Sequence, residues 1–559
     1  MKLYLSVEWL SLMCVVTIVF SRTMDNHRGK NDINLDFDKL ENLGQTDSLI
    51  KALKDIAQRT HNCGVKELPK LRRYFLSNTS ITCNDGSPAG YFMRKSYGST
   101  KWIVFLQGGW YCFDEVSCQL RWRHEHMKTF MTSKHWPETK RGSGLLSWNP
   151  EENPYYFHSN MVYIPYCSSD SWSGTATSPD DTGFSFMGSL ILDEVIRELI
   201  PKGLRNARKL VLTGSSAGGI GVLLNLDYVA NLMAELAPKV EVRGIADSGW
   251  FMDSPQYSQE DCVEAYNCAP RDGTKKGIQV WRGRVPEACK AQYPASEHWR
   301  CYFGYRIYAT LKTPLYVIQY LFDEAQIMVD NVFDESQIRG ENSAPALSKL
   351  QWEYLHKLGQ EVRNTLENVT AVFAPACLSH ELLMKSDWHA MTVNGVTLAQ
   401  SIYCWENSYS LEKCNYAVNK TLQDRLLGDE PSARNKTRTD KKKRKKKKNG
   451  KKKRRKNRRN KMILKQERKN NRGKRSRQHN GSCSHHLIDN CPLPQCNCSC
   501  PKYRNKYTGT EIDFFKLFIR YGIDKKELSD LLGISLSTLE TMDHNTISTL
   551  ILDLVRKNQ

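Results

Sequence analysis

Beyond its first twenty residues, this 559-residue sequence has no apolar run approaching the ~20 residues that a helix needs to cross a bilayer. No transmembrane span is therefore expected in the mature chain. Its cysteines and histidines fall at no standard zinc-finger spacing, even where Cys491, Cys496, Cys498 and Cys500 crowd near His485 and His486. That leaves disulfides as the expected use of those cysteines and no metal to be accounted for. Acidic side chains are nearly missing from one stretch. Residues 434–478 hold 27 Lys/Arg and two acids, Asp440 and Glu467, a net of +25. The whole chain carries +21, so the remainder sums to −4. The same stretch has almost no apolar residues, so it cannot bury a core and is expected to be disordered. The composition describes a mildly acidic globule carrying one polycation.

The N-terminus combines Lys2 with an apolar run from Leu10 to Phe20 and a cleavage-compatible Val19-Phe20-Ser21. That run is too short to be a membrane anchor and reads as a signal peptide over residues 1–21. The mature chain is expected to be soluble, secreted and extracellular. Eighteen cysteines suit an oxidising compartment. Cys14 leaves with the signal, so at least one of the remaining seventeen is unpaired or intermolecular. Close pairs (Cys112/Cys118, Cys262/Cys268, Cys289/Cys301, Cys404/Cys414) look like local staples, although spacing alone does not fix connectivity. Glycosylation sequons occur at Asn78, Asn368, Asn419, Asn435, Asn480 and Asn497.

Residues 22–60 are polar and then helical, with Leu49, Ile50, Leu53 and Ile56 at helical spacing. From residue 61 to 430, short apolar runs (Trp102–Leu106, Met161–Pro165, Leu210–Leu212, Val242–Ala246, Leu315–Leu321, Ala371–Ala374) alternate with helical stretches such as Ile191–Ile200 and Leu350–Leu366. That alternation predicts an α/β fold with a mostly parallel central sheet, whose site lies at the carboxyl ends of the strands. The polybasic segment 431–482 follows. Residues 483–559 then form a cysteine-rich knot and short C-terminal helices, with Leu517, Ile519, Leu528, Leu531, Leu532, Leu550 and Leu554 as candidate core.

The chemistry is concentrated in Gly214-Ser215-Ser216-Ala217-Gly218. It matches G-x-S-x-G between an apolar strand and an apolar helix, the context of a nucleophile elbow. Ser216 is the candidate nucleophile, and Gly214, Ala217 and Gly218 are small enough for so sharp a turn. An acyl-transfer serine also needs a base, an acid to orient the base and oxyanion donors, with the acid preceding the base in the α/β-hydrolase order. His380 follows the predicted strand Ala371–Ala374 and is the candidate base. For the acid, Asp323 ends the run that starts at Leu315, and Asp247 ends the run before it. Residue order prefers Asp323 and leaves Asp247 open. Ala217 can supply one oxyanion amide, and the Gly108-Gly109-Trp110 loop after Leu106 a second.

Together with Gly108-Gly109-Trp110-Tyr111-Cys112-Phe113, Tyr166-Cys167-Ser168-Ser169-Asp170, Asp247-Ser248-Gly249-Trp250 and Phe322-Asp323-Glu324-Ala325-Gln326, the elbow resembles the Notum family. These are palmitoleoyl-protein carboxylesterases of the pectin-acetylesterase-like α/β-hydrolases. The likeness runs from about residue 60 to 430 and resumes near Cys491. It implies a triad of Ser216, Asp323 and His380, an oxyanion hole from Gly109, Trp110 and Ala217, and no cofactor. It also implies an acyl pocket containing Trp110, Tyr111, Phe251, Tyr302, Phe303, Ala325 and Val329. The implied activity is hydrolysis of the palmitoleoyl ester on a serine of Wnt proteins, which restrains Wnt signalling. The implied partners are the heparan sulfate chains of glypicans.

Residues 434–478 are longer and more charged than the family pattern, and suit sulfated chains better than nucleic acid in a secreted protein. Arg472-Gly473-Lys474-Arg475 resembles a proprotein-convertase site. Two other readings stand beside the lipid deacylase. One is a carbohydrate O-acetylesterase with a small acyl pocket, and the other a non-catalytic heparan-binding matrix protein.

Overall fold

The short apolar runs assemble into one ten-stranded sheet in the computed structural model. The structure describes residues 69–177, 182–333, 348–407, 484–491 and 494–501, and parts of 526–550. The chain divides into two units, residues 1–400 with 486–559, and residues 401–485. Everything described below belongs to the first. The signal segment, residues 22–60, the polybasic tract with its basic cleavage motif, Cys414, Asn419, Asn435, Asn480 and most of the C-terminal leucines lie outside the described residues.

The strands are β1 (Leu71–Phe75), β2 (Gly90–Arg94), β3 (Lys101–Leu106), β4 (Thr139–Lys140), β5 (Asn160–Ile164), β6 (Lys209–Ser215), β7 (Glu241–Asp247), β8 (Leu315–Ile318), β9 (Phe322–Asp323), β10 (Val372–Ala374), β11 (Leu378–Ser379), a small hairpin β12–β13 (Thr392–Val393, Val396–Thr397) and β14 (His486–Ile488). The large sheet runs β14-β10-β8-β7-β6-β3-β5-β2-β1-β4. It is parallel from β14 to β5, and β2, β1 and β4 add an antiparallel margin. Every residue of central β6 is buried, as expected of a parallel strand covered on both faces.

Six helices matter below: α1 (Glu115–Arg123), α2 (Gly188–Leu199), α3 (Ala217–Leu236), α4 (Pro270–Val280), α5 (Glu324–Val329) and α6 (Lys349–Leu366). The start of α6 is set by a capping box: Gln351 N–H donates to Ser348 Oγ at 3.2 Å, and Ser348 N–H to Gln351 Oε1 at 2.7 Å. Two sequence expectations are corrected. By length and composition α3 is apolar enough to span a membrane, but 72% of its most apolar window is buried inside the molecule, as a core helix would be. The run 315–323 is not one strand. β8 stops at Ile318 because its ladder with β7 ends there: past Asp247, Ser248 takes a left-handed conformation (φ 51°) and its amide makes the last bond on that side, to the Ile318 carbonyl, while Gln319 and Leu321 still donate to the Phe373 and Pro375 carbonyls.

Six disulfides are formed among the described residues. Cys112–Cys118, Cys262–Cys268 and Cys289–Cys301 are the local staples expected from spacing. Cys491–Cys496 closes the C-terminal knot. Cys83–Cys167 and Cys377–Cys500 join residues 84 and 123 apart, pairings that spacing does not suggest.

Candidate active site

The carboxyl ends of β3, β6, β7 and β11 meet at one place, and four non-glycine residues there have positive φ: Trp110 (59°), Ser216 (58°), Ser248 (51°) and Glu381 (56°). Such backbone costs roughly 1–3 kcal/mol per residue and persists only where its surroundings hold it. Ser216 lies between β6 and α3, and its amide donates to the Asp247 carbonyl at 2.8 Å. The small neighbours of the elbow are necessary. A Cβ on Gly218 would lie 2.1 Å from the Leu106 carbonyl oxygen. A Cβ on Gly108 would lie 2.7 Å from Ser216 Cβ and 2.7 Å from Glu381 Oε1, so the loop after β3 is pressed against Ser216.

Asp323 and His380 are brought together by the pairing of β9 with β11, which sets Ser379 beside Asp323. His380 Nδ1 lies 2.9 and 3.0 Å from the two Asp323 oxygens. Asp323 is itself fixed as the N-cap of α5, accepting from the Ala325 amide at 2.9 Å, the Gln326 amide at 3.3 Å and Gln319 Nε2 at 3.1 Å. His380 is pushed up to about 9: burial opposes the protonated ring, but the Asp323 carboxylate outweighs it, with Glu381 and Asp247 adding. Phe251 tilts against the imidazole, ring centres 6.3 Å apart. No hydrogen bond joins Ser216 to His380; nucleophile–base contacts of this kind commonly tighten only when substrate binds.

Asp247, the competing acid, is fully buried and does a different job. Its Oδ2 accepts from Ser215 Oγ at 2.6 Å and from the Leu382 and Leu383 amides at 2.8 and 2.9 Å. Its Oδ1 accepts from Ser248 Oγ at 3.0 Å, and that hydroxyl in turn accepts from the Glu381 amide at 3.0 Å. It thus bolts the elbow to the loop that carries His380. Sequence order alone did not reveal this role.

Beside Ser216 opens a predominantly apolar cleft. Trp110, Tyr111, Phe251, Tyr302, Phe303 and Val329 line it together with Ser216 and Ala217. Ala325 does not line it; that residue is taken up in the cap of α5. Ser171, Ile220, Pro270 and Thr274 line the cavity without having been expected there. They come from three segments with no shared motif, so only the fold collects them. Burial raises the Tyr111 and Tyr302 phenols well above their ordinary value, so both stay neutral and the cavity presents no charge.

Of the described sequons, Asn78 and Asn368 are exposed. At Asn497 the amide nitrogen that would carry a glycan already donates to the Thr392 carbonyl at 2.8 Å and Asp489 Oδ2 at 2.6 Å.

The model of the pectinacetylesterase family matches residues 69–423. The chain is 41% identical to the palmitoleoyl-protein carboxylesterase NOTUM of Mus musculus over 513 residues, 91% of this chain and 88% of that protein. It is 41% identical to the Homo sapiens protein of the same name over 513 residues, covering 91% and 89%. Its identity to the Drosophila melanogaster one is 46% over 373 residues, covering 66% and 53%.

Proposed function

Because the chain belongs to the pectinacetylesterase family, and its relatives named palmitoleoyl-protein carboxylesterase match it along nine-tenths of its length, we propose that it is a serine carboxylesterase that removes the palmitoleoyl group from a serine of Wnt proteins. In this reading Ser216 attacks the ester carbonyl while neutral His380 takes its proton, and Asp323 holds the imidazole in the required tautomer. The amides of Gly109, Trp110 and Ala217 receive the oxyanion. His380 returns its proton to the departing serine hydroxyl. Water, activated by the same imidazole, then releases the fatty acid from the acyl-enzyme. The observation that carries the reading is the His380–Asp323 pair, joined through Nδ1, beside a strained serine elbow that opens on an apolar cleft. Each buried CH₂ of an acyl chain is worth ~0.8 kcal/mol in such a cavity. A long chain therefore binds there far better than an acetyl group.

Hydrolysis of an ester series of increasing acyl length, by wild type and Ser216→Ala, tests this. Preference for medium or long chains, abolished in the variant with its fold intact, is expected. Turnover of acetyl esters alone would move the assignment to the carbohydrate acetylesterases, the substrate class in the family's own description. Secretion is supported by the six disulfides, which persist in oxidising compartments. Binding of heparan sulfate, as on glypicans, is supported by the charge of residues 434–478.

A further inference from the structure

We infer that Arg121 is the positioning residue of the oxyanion hole, holding the Gly109–Trp110 peptide so that its N–H faces the nucleophile. The inference rests on the serine-hydrolase reading above. Arg121 sits in the last turn of α1, only 5% exposed. Its Nη2 donates to the Gly109 carbonyl at 2.5 Å and its Nε to Ser169 Oγ at 2.9 Å. Its Nη1 has only the Met127 thioether, at 3.7 Å. No carboxylate forms an ion pair with it among the described residues. A buried cation without a carboxylate partner is costly; besides the Phe130 ring, 5.7 Å from the guanidinium, its shortest contact goes to one peptide oxygen in the loop beside Ser216.

That contact has a geometric consequence. In a trans peptide the carbonyl and the following N–H point in opposite directions, and no cis peptide is present among the described residues. Drawing the Gly109 oxygen toward Arg121 therefore turns the Trp110 N–H the other way. Trp110 keeps an unfavourable φ of 59°, and Gly109 adopts 145°. The cation also polarises the peptide it grips, making that N–H a stronger donor to a developing negative charge. The frame around it is stiff. Cys112–Cys118 ties the loop to α1, Asp114 caps α1 by accepting from the Ser117 amide at 2.8 Å, and Cys112 N–H donates to the Ser169 carbonyl at 3.1 Å. Burial draws the guanidinium down to about 10, which leaves it charged at neutral pH.

Two variants test this, Arg121→Met and Arg121→Lys, with Ser169→Ala as a milder third that removes only the Nε partner. For each, kcat and KM on a medium-chain ester are measured with affinities for a boronic acid (a tetrahedral-anion mimic) and for the free fatty acid. Arg121→Met is expected to lower kcat by about 100-fold, the scale of losing one oxyanion donor, with KM changed by less than about 3-fold. Boronate affinity should fall in parallel while fatty-acid affinity stays, and Arg121→Lys should recover part of both. Folded variants whose kcat and boronate affinity stay within about 3-fold of wild type would overturn the inference. So would a loss of kcat without a matching loss of boronate affinity. If Arg121→Met does not fold, Arg121→Lys and Ser169→Ala decide by the same comparison. Absence of Ser216-dependent turnover in the wild type would instead refute the catalytic reading itself.

Discussion

In the proposed mechanism, His380 is the residue on which the rate at a given pH depends. It acts as a base only when neutral, and its neighbours raise it to about 9. The rate constant kcat/KM is therefore expected to climb with pH until the imidazole loses its proton near that value. Glu381 is one of the carboxylates responsible, so Glu381→Gln should move the rising limb to lower pH. A pH–rate profile with an unmoved limb would remove Glu381 from this role. The same raised value links to stability. The imidazolium–Asp323 pair contributes fully below about pH 6.5, the unfolded histidine's value, and its contribution fades as the pH rises through about 9. As candidates, Ser216, Asp323 and His380 were legible in the sequence because each lies at or just past the end of an apolar run, although position alone left Asp247 open beside Asp323. Arg121 was not, because a buried arginine in a polar-looking helix carries no local sign of the peptide it will meet.

At the scale of elements, the site depends on loops held from behind. Asp247, at the end of β7, has one carboxylate oxygen accepting from Ser215 and from two amides of the His380 loop. Hydrogen bonds to a charged acceptor are worth roughly 1.5–3 kcal/mol each. Asp247→Asn should accordingly lower unfolding free energy by roughly 1–3 kcal/mol in denaturant titration. It should also reduce kcat by about 100-fold, the cost of about 1 Å of misplacement. Wild-type turnover in that variant would show the bolt to be dispensable. The strands around the site could be read from their apolar runs, and α2, expected at Ile191–Ile200 and observed at Gly188–Leu199, was nearly so. The split between β8 and β9 could not, because it follows from how β7 ends. Nor could the second use of Asp247, since a strand-end aspartate looks the same whether it serves a histidine or a pair of amides.

Across the whole molecule, charge and catalysis occupy different parts of the sequence. Residues 434–478 carry +25 and the remainder −4, while every proposed catalytic residue lies outside that stretch. Deleting 434–478 should therefore cut the salt needed to elute the protein from heparin, with kcat on a soluble ester within about 2-fold of wild type. Unchanged elution would exclude the tract as the heparan-binding element. The C-terminal contribution to the sheet was the least legible part of the fold: β14 is three residues long and reaches β10 across roughly 110 residues that include the polycation. Its lateness has a consequence for biosynthesis. When the ribosome has completed β10, the strand that will cover it has not been made, and at ~5–20 residues per second it emerges roughly 6–20 s later. Through that interval the nascent chain presents an unpaired, apolar parallel edge, the kind of surface that recruits other chains. The strongly basic stretch follows that edge out of the ribosome and precedes its cover, so the nascent chains begin to repel one another while that edge is still bare.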